Sequence, residues 1–171
     1  FNFSLDTVLL ANFCTISKNT KMIVDFGTNN AAIPMLLSMR CNGQIEGIEI
    51  QKEACDIANK NIELNQLAHQ VKIINQDIKD YVKVHKQVDL VVCNPPFFKI
   101  GEKSNLNENR YLQIARHEIK INLEEIIASA AKILKVKGRF AIVHRTERMI
   151  EIIELMKKYN LEPKKIQYIY P

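Results

Sequence analysis

Glycine is scarce in this chain, with five in 171 residues, and tryptophan is absent. No glycine is followed by Lys-Ser or Lys-Thr, which excludes a triphosphate P-loop. The four cysteines, Cys14, Cys41, Cys55 and Cys93, form no C-x-x-C pair and none sits at metal-ligand spacing from a histidine. That excludes a zinc ribbon and a disulfide scaffold, and it predicts isolated thiols, a reducing compartment and no metal. No apolar run is long enough to cross a bilayer, and the first residues show no charged-then-apolar leader pattern. There is no repeat, low-complexity tract or linker. A start at Phe1 without Met and a stop at Pro171 just after an apolar run suggest that terminal segments lie outside this sequence.

What is present is ordinary globular material. Hydrophobic residues make up 47% and charged residues 25%, and 1–171 has the length of one domain with a substantial core. The formal net charge is +5, a basicity that suits a polyanionic partner without demanding one.

Short apolar runs alternate with helix-period stretches. Met22 to Gly27, Ile45 to Ile50, Val71 to Asp77, Val88 to Asn94 and Arg139 to Arg145 read as strands. Several are apolar on consecutive positions, as strands covered on both faces are. Helices are predicted over Asn30 to Arg40, Gln51 to Gln66, Asn122 to Lys135 and Glu147 to Asn160, with an amphipathic Leu5 to Phe13 ahead of the first strand. Asn122 and Glu125 form a capping box at the start of the third, and Lys137-Gly138 is expected to end it. Met149, Ile152, Ile153 and Met156 should face the core, and Lys165 to Tyr170 reads as a final strand. The alternation predicts an α/β doubly wound, mostly parallel sheet with helices on both faces.

In such sheets ligands sit beyond the carboxyl ends of the strands, so those ends matter most. The first ends at Asp25-Phe26-Gly27-Thr28-Asn29-Asn30, the second at Glu49, the third at Asp77 and the fourth at Asn94-Pro95-Pro96-Phe97. Gly27 has no glycine companions; Asn29 and Ala31 stand where a G-x-G-x-G turn would place them. Asn tolerates positive φ, and Ala is the next smallest residue. Glu49 lies 24 residues after Asp25, close to the spacing of about 20 at which an acid on the second strand bonds a ribose diol. A solvated strand end is its other reading. Asp77 could accept from an adenine amine or cap the residues that follow it.

The segment Asn94-Pro95-Pro96-Phe97-Phe98 ends a buried strand on a rigid polar and aromatic tip. The two prolines fix the backbone so that the Asn94 amide and the Pro95 carbonyl face outward as acceptors. Phe97 adds a flat apolar face. Acceptors beside a stacking face suit a planar, amine-bearing group such as an unstacked nucleobase. The polar stretch from Phe98 to about His117 has no helix or strand period and reads as a mobile flap.

These residues resemble a known family. Asn94-Pro95-Pro96-Phe97 is similar to the (N/D)-P-P-(Y/F) motif of S-adenosylmethionine-dependent amino methyltransferases, Asp25-Phe26-Gly27-Thr28 to their cofactor motif, and Glu49 to their ribose-binding acid. Phe3 to Phe13 (FSLDTVLLANF) and Ala115 to Glu118 (ARHE) resemble the bacterial tRNA(Val) adenine-37 N6-methyltransferases, and the likeness covers nearly the whole chain. It implies a Rossmann-like methyltransferase sheet and methyl transfer from S-adenosylmethionine to the N6 amine of an anticodon-loop adenosine. Asn94, Pro95, Pro96 and Phe97 would form the catalytic tip. Ser4, Asp6, Asp25, Gly27, Thr28, Asn29, Glu49, Ile50, Asp77, Ile78 and Asn94 would line the cofactor, with Phe3 near its methionyl end. Phe97, Phe98, Lys99, Arg110, Arg116, His117 and Arg145 would meet the tRNA, with Lys103 and Arg148 as further phosphate contacts. His117 is read as structural or RNA-facing rather than as a base. A cytoplasmic monomer without metal or membrane is expected. Guanine N2, a protein glutamine, or a cofactor-free RNA-binding role on the same fold remain open alternatives.

Overall fold

A computed structural model describes residues 4–84, 87–95 and 122–170. Helix α1 (Leu5–Phe13) precedes strand β1 (Met22–Phe26). There follow α2 (Ala32–Ser38), β2 (Gln44–Glu49), α3 (Lys52–Leu64), β3 (Val71–Asn75), α4 (Ile78–Val84) and β4 (Val88–Cys93). Beyond them lie α5 (Leu123–Ile133), β5 (Leu134–Ile142), a 3-10 turn (Thr146–Arg148) and α6 (Met149–Lys158). The strands form one sheet in the order β3-β2-β1-β4-β5, and every neighbouring pair is parallel. The chain order reverses between β1 and β4, so the connections leaving those two strands diverge and open a crevice there.

The apolar runs earn their place by being covered twice. On one face Ile23, Ile45, Leu90 and Val92 pack with Leu10 of α1, Leu37 of α2 and Ile62 of α3. On the other, Val24, Phe26, Ile48, Val91 and Cys93 pack with Tyr81 of α4 and Ile126, Ala130 and Ile133 of α5. Strand residues alternate between these two cores, which is why consecutive positions must all be apolar.

Asp89 explains itself at the amino end of the sheet. Its Oδ2 accepts from the backbone N–H groups of Lys21 (2.9 Å) and Met22 (3.0 Å), and Lys135 pairs with its Oδ1. Burial pushes its pKa up, but these partners together hold the carboxyl below its ordinary value. The acid thus pins the loop before β1 to β4, at the end of the sheet away from the crevice.

Three expectations need correction. The predicted capping box is present, with Asn122 Oδ1 accepting from Glu125 N–H and Glu125 Oε2 accepting from Asn122 N–H, both at 2.9 Å. Helix α5, however, ends at Ile133, before Lys137-Gly138. That dipeptide makes a turn inside β5 instead: Lys137 has φ 67°, and the ladder skips from Val88↔Leu134 to Leu90↔Arg139. A Cβ on Gly138 would approach Lys135 O to 2.8 Å, so the turn has no room for a side chain. Second, Lys165 to Tyr170 is not a strand. It joins no ladder among the described residues, and side chains hold it: Lys165 lies 4.5 Å from the Phe13 ring centroid and the Tyr168 hydroxyl reaches Met149 Sδ at 3.1 Å. A β-favouring run forms a strand only where a neighbour offers its backbone. Third, the inward stripe of α6 is half-buried and none of its residues is fully buried, because the helix sits beside α5 at the end of the sheet.

Candidate active site at the β1–β4 crevice

The turn after β1 has the backbone of a three-glycine loop with only the first of the glycines. Gly27, Asn29 and Ala31 all adopt left-handed conformations, at φ 72°, 51° and 66°. For Ala31 this costs about 1–2 kcal/mol, since its Cβ crowds a carbonyl. Ala31 is fully buried, and its packing holds it there. Strain of this kind concentrates at functional sites, which makes this strand end a candidate one. In front of Gly27 there is open space: a Cβ built there meets nothing within 4 Å.

The N–H groups of this turn are largely occupied. Gly27 and Thr28 both donate to Ile48 O, at 2.9 and 3.0 Å. Asn29 donates to Glu49 Oε2 at 3.0 Å, and Gln51 donates to Glu49 Oε1 at 2.9 Å. Glu49 is therefore no solvated strand end. It is buried, and two backbone donors aim its carboxylate. Each oxygen keeps acceptor capacity for a further donor.

Asp25 is wholly buried beside that turn. Among the described residues neither carboxyl oxygen has a partner at full hydrogen-bond geometry, and the neighbouring Thr28 hydroxyl makes at most a weak, misaligned contact to the carboxyl. Burial raises the Asp25 pKa to about 7; Thr28 opposes the shift and the charge of Glu49 adds to it. The opposite position on β2 is Gly47, where a Cβ would come within 2.7 Å of Thr28 Oγ1. The Thr28 side chain occupies the space that Gly47 leaves.

Asp77 caps α4. Its Oδ1 accepts from Lys79 N–H at 2.7 Å, and its carbonyl accepts from Asp80 and Tyr81. Ile50 is 42% exposed at the tip of β2, while Ile78 leans on the second core. Asn75 joins the two strand ends, its Nδ2 donating to Glu49 O and Ile50 O at 3.0 Å each.

The β4 tip lies next to the β1 turn, because Cys93 is paired with Phe26. Asn94 is half-buried and Pro95 buried. Asn94 Nδ2 points back toward α1 and donates to Thr7 Oγ1 at 3.4 Å. Thr7 Oγ1 in turn meets Ser4 Oγ at 3.4 Å, at the amino end of α1. Asp6 is half-buried in the same first turn. Val143 N–H reaches Cys93 O at 3.4 Å, so the end of β5 also runs beside this tip. It brings His144 and exposed Arg145 to the rim. His144 Nδ1 accepts from Arg145 N–H at 2.9 Å, and burial holds the imidazole pKa below its usual value. Arg148 is paired with Glu151, which offsets the positive charge it could offer a phosphate.

The structure thus draws Ser4, Asp25, Gly27, Thr28, Asn29, Glu49, Ile50, Asp77, Asn94 and Pro95 to one end of the sheet. Phe3, Pro96, Phe97, Phe98, Lys99, Lys103, Arg110, Arg116 and His117, with the flap that carries most of them, lie outside the described residues. The reading of the sequence missed Thr7, Asn75 and His144. An Asn at the end of β3 beside Glu49 was the one available signal; nothing local marks the other two. Among the described residues, no cluster of His, Cys, Asp or Glu could hold a metal ion, and no helix is long and apolar enough to cross a membrane.

Relatives bear on this arrangement. Over 166 residues the chain is 26% identical to a protein of Cytophaga hutchinsonii named tRNA1(Val) (adenine(37)-N6)-methyltransferase, covering 96% of this chain and 68% of the relative. A protein of the same name from Flavobacterium psychrophilum is 29% identical over 163 residues, 94% of this chain and 68% of the relative. Among solved structures, the precorrin-6y C5,15-methyltransferase of Geobacter metallireducens superposes with a TM-score of 0.66 at 14% identity, over 90% of this chain and 70% of that one. An O-methyltransferase of Thermotoga maritima gives 0.65 at 20% identity, over 92% of this chain and 51% of that one. These two show the fold, a Rossmann-like methyltransferase sheet. The family model named Methyltransferase small domain matches residues 5–168, and the chain belongs to that family.

Proposed function

We propose that this protein transfers a methyl group from S-adenosylmethionine to the exocyclic N6 of adenosine 37, just 3′ of the anticodon, in a valine tRNA. The observation that carries the reading is the adjacency of the β1 turn and the β4 tip, set by the Phe26↔Cys93 pairing. It brings a cofactor-type turn and the Asn94-Pro95 tip to neighbouring strand ends, where Asn94 Oδ1 and the Pro95 carbonyl would serve as acceptors. Family membership supports methyl transfer, and the names of the relatives support the tRNA adenine.

The residues present fit the cofactor. The buried, unpartnered Asp25 carboxyl suits the ammonium of its methionyl group, and the aimed Glu49 carboxylate suits a ribose diol. The space before Gly27 admits close approach. Asp77 and Ile50 stand at the neighbouring strand ends where a base would lie. S-adenosylmethionine supplies an electrophilic methyl group on its sulfonium.

The protein's own task is to make a poor nucleophile reactive. The lone pair of an aryl amine is delocalised into its ring. Asn94 Oδ1 and the Pro95 carbonyl would accept the two amine hydrogens, turn the nitrogen toward tetrahedral geometry and localise that pair. The same acceptors stabilise the positive charge that grows on nitrogen in the transition state. The alkylated nitrogen is acidic and loses its proton afterwards, so no strong base is required. His144 does not supply one, since its Nδ1 is already an acceptor for a backbone N–H. Positioning does much of the rest.

The test is incubation of unmodified total tRNA with labelled S-adenosylmethionine, followed by nucleoside analysis. N6-methyladenosine in the valine fraction is expected. N2-methylguanosine as the labelled product, or methylglutamine in a protein control, would assign a different acceptor amine.

A further inference from the structure

We propose that Thr7 is a positioning residue that sets which end of the Asn94 amide faces the substrate amine. This rests on the reading of Asn94 as an acceptor for that amine. A side-chain amide has two ends of opposite hydrogen-bonding character, and only the oxygen can accept. Rotated by half a turn, Asn94 would present its own NH2 to the incoming NH2, and the site would repel what it must hold.

The environment of Asn94 chooses between the two. Its Nδ2 lies 3.4 Å from Thr7 Oγ1, and Thr7 is 7% exposed, so little water competes at that contact. A hydroxyl could accept from the amide or donate to it. A second partner lies on the far side, where Ser4 Oγ is 3.4 Å from the same oxygen and offers an acceptor for the Thr7 proton. If Thr7 gives its proton to Ser4, its lone pairs face Asn94, and only the NH2 end of the amide satisfies them. The polar chain then runs from Asn94 N–H to the Thr7 hydroxyl and on to Ser4, and Oδ1 is left facing the crevice. Helix α1 is held on one face of the sheet, beside α2 and β5, by the buried Leu10 and Ala11 and by Cys14 just past its end, so Thr7 has a rigid mount.

Thr7→Val keeps shape and removes only the hydroxyl, so the core remains filled. In the cofactor-free protein, the side-chain NH2 signal of Asn94, identified by its absence from the spectrum of Asn94→Ala, should shift and exchange faster with solvent in Thr7→Val. Thr7→Ser, which keeps the oxygen, should leave that signal protected. With a valine tRNA transcript and S-adenosylmethionine, Thr7→Val should lower kcat about tenfold, the effect of one neutral hydrogen bond, while Thr7→Ser stays within about threefold. Cofactor affinity, measured by calorimetry, should be the same in all three proteins. An unmoved NH2 signal with wild-type kcat in Thr7→Val would overturn the assignment, as would equal losses in Thr7→Val and Thr7→Ser. Wild-type turnover in Asn94→Ala would instead overturn the reading of Asn94 itself.

Discussion

Glu49 and Asn29 are joined by a 3.0 Å hydrogen bond from the Asn29 backbone N–H to the Glu49 carboxylate, so the acid of β2 and the turn after β1 form one unit. The bond holds a left-handed non-glycine residue in place and at the same time aims the acid. Glu49→Ala should therefore do two things. It would remove the charge-assisted contact proposed to the ribose and would free the turn. We expect S-adenosylmethionine binding to weaken about ten- to a hundredfold by calorimetry. Unchanged affinity would make Glu49 a brace for the turn and nothing more.

Gly27→Ala separates strain from occlusion. The φ of 72° penalises any Cβ, yet the built Cβ meets nothing within 4 Å. Stability should fall by about 1 kcal/mol in urea unfolding, the cost of left-handed backbone alone. Cofactor affinity should fall further than that, because the new methyl enters the space kept before the turn. A loss of stability with no loss of affinity would place the cofactor elsewhere.

Asp25 carries a pH signature. Its folded pKa of about 7 lies above the ordinary value of 3.8, so the folded state keeps a proton that the unfolded chain releases. The sign follows: the group's contribution is full below pH 3.8 and is lost as pH rises through about 7. The swing is about 4 kcal/mol at most, from roughly three pKa units. Asp25→Asn should abolish it, so the variant gains on the wild type as pH rises from about 3.8 to about 7, and the difference levels off above that, in paired urea titrations. A constant difference between the two proteins would contradict the assignment. Cofactor binding should move the opposite way and tighten as pH rises through about 7, because the ammonium needs the charged carboxylate.

How far the sequence could be read follows from which forces are local. Strands β1, β2 and β4 are legible because burial on both faces makes apolar runs unavoidable; β3, at the sheet edge, is only partly covered and is legible from its β-branched residues. Asn29 and Ala31 stand out by spacing alone, and both take the left-handed backbone which that spacing implies. The last part of the chain is less legible. Lys137-Gly138 has the form of a helix stop, but the pairing of β4 with β5 turns it into a bulge. Lys165 to Tyr170 has strand-forming residues and no neighbour to pair with among those described. Within the site, the strand-end acids are visible as patterns. Thr7 is not, since it meets Asn94 across 87 positions of sequence and only the docking of α1 brings the two together.

Binding of the tRNA should depend on salt. The chain carries a net +5, and exposed Arg145 lies at the rim. Phosphate contacts release counterions, so affinity for a valine tRNA should fall linearly on a log–log plot against salt. Arg145→Gln should reduce that slope by about one unit if the side chain meets a phosphate. An unaltered slope would remove Arg145 from the interface.

The most direct test is the separation of binding from turnover in Asn94→Ala. Asn94 is expected to border the cofactor, but its amide oxygen is assigned to the transition state of amine methylation. Turnover on a valine tRNA should fall by about two orders of magnitude or more, on the scale of losing one preorganised hydrogen-bonding group. The dissociation constant for S-adenosylmethionine should stay within about twofold of wild type, a difference well under 1 kcal/mol. Near wild-type methylation by Asn94→Ala would contradict the account, because the acceptor at its centre would then be dispensable.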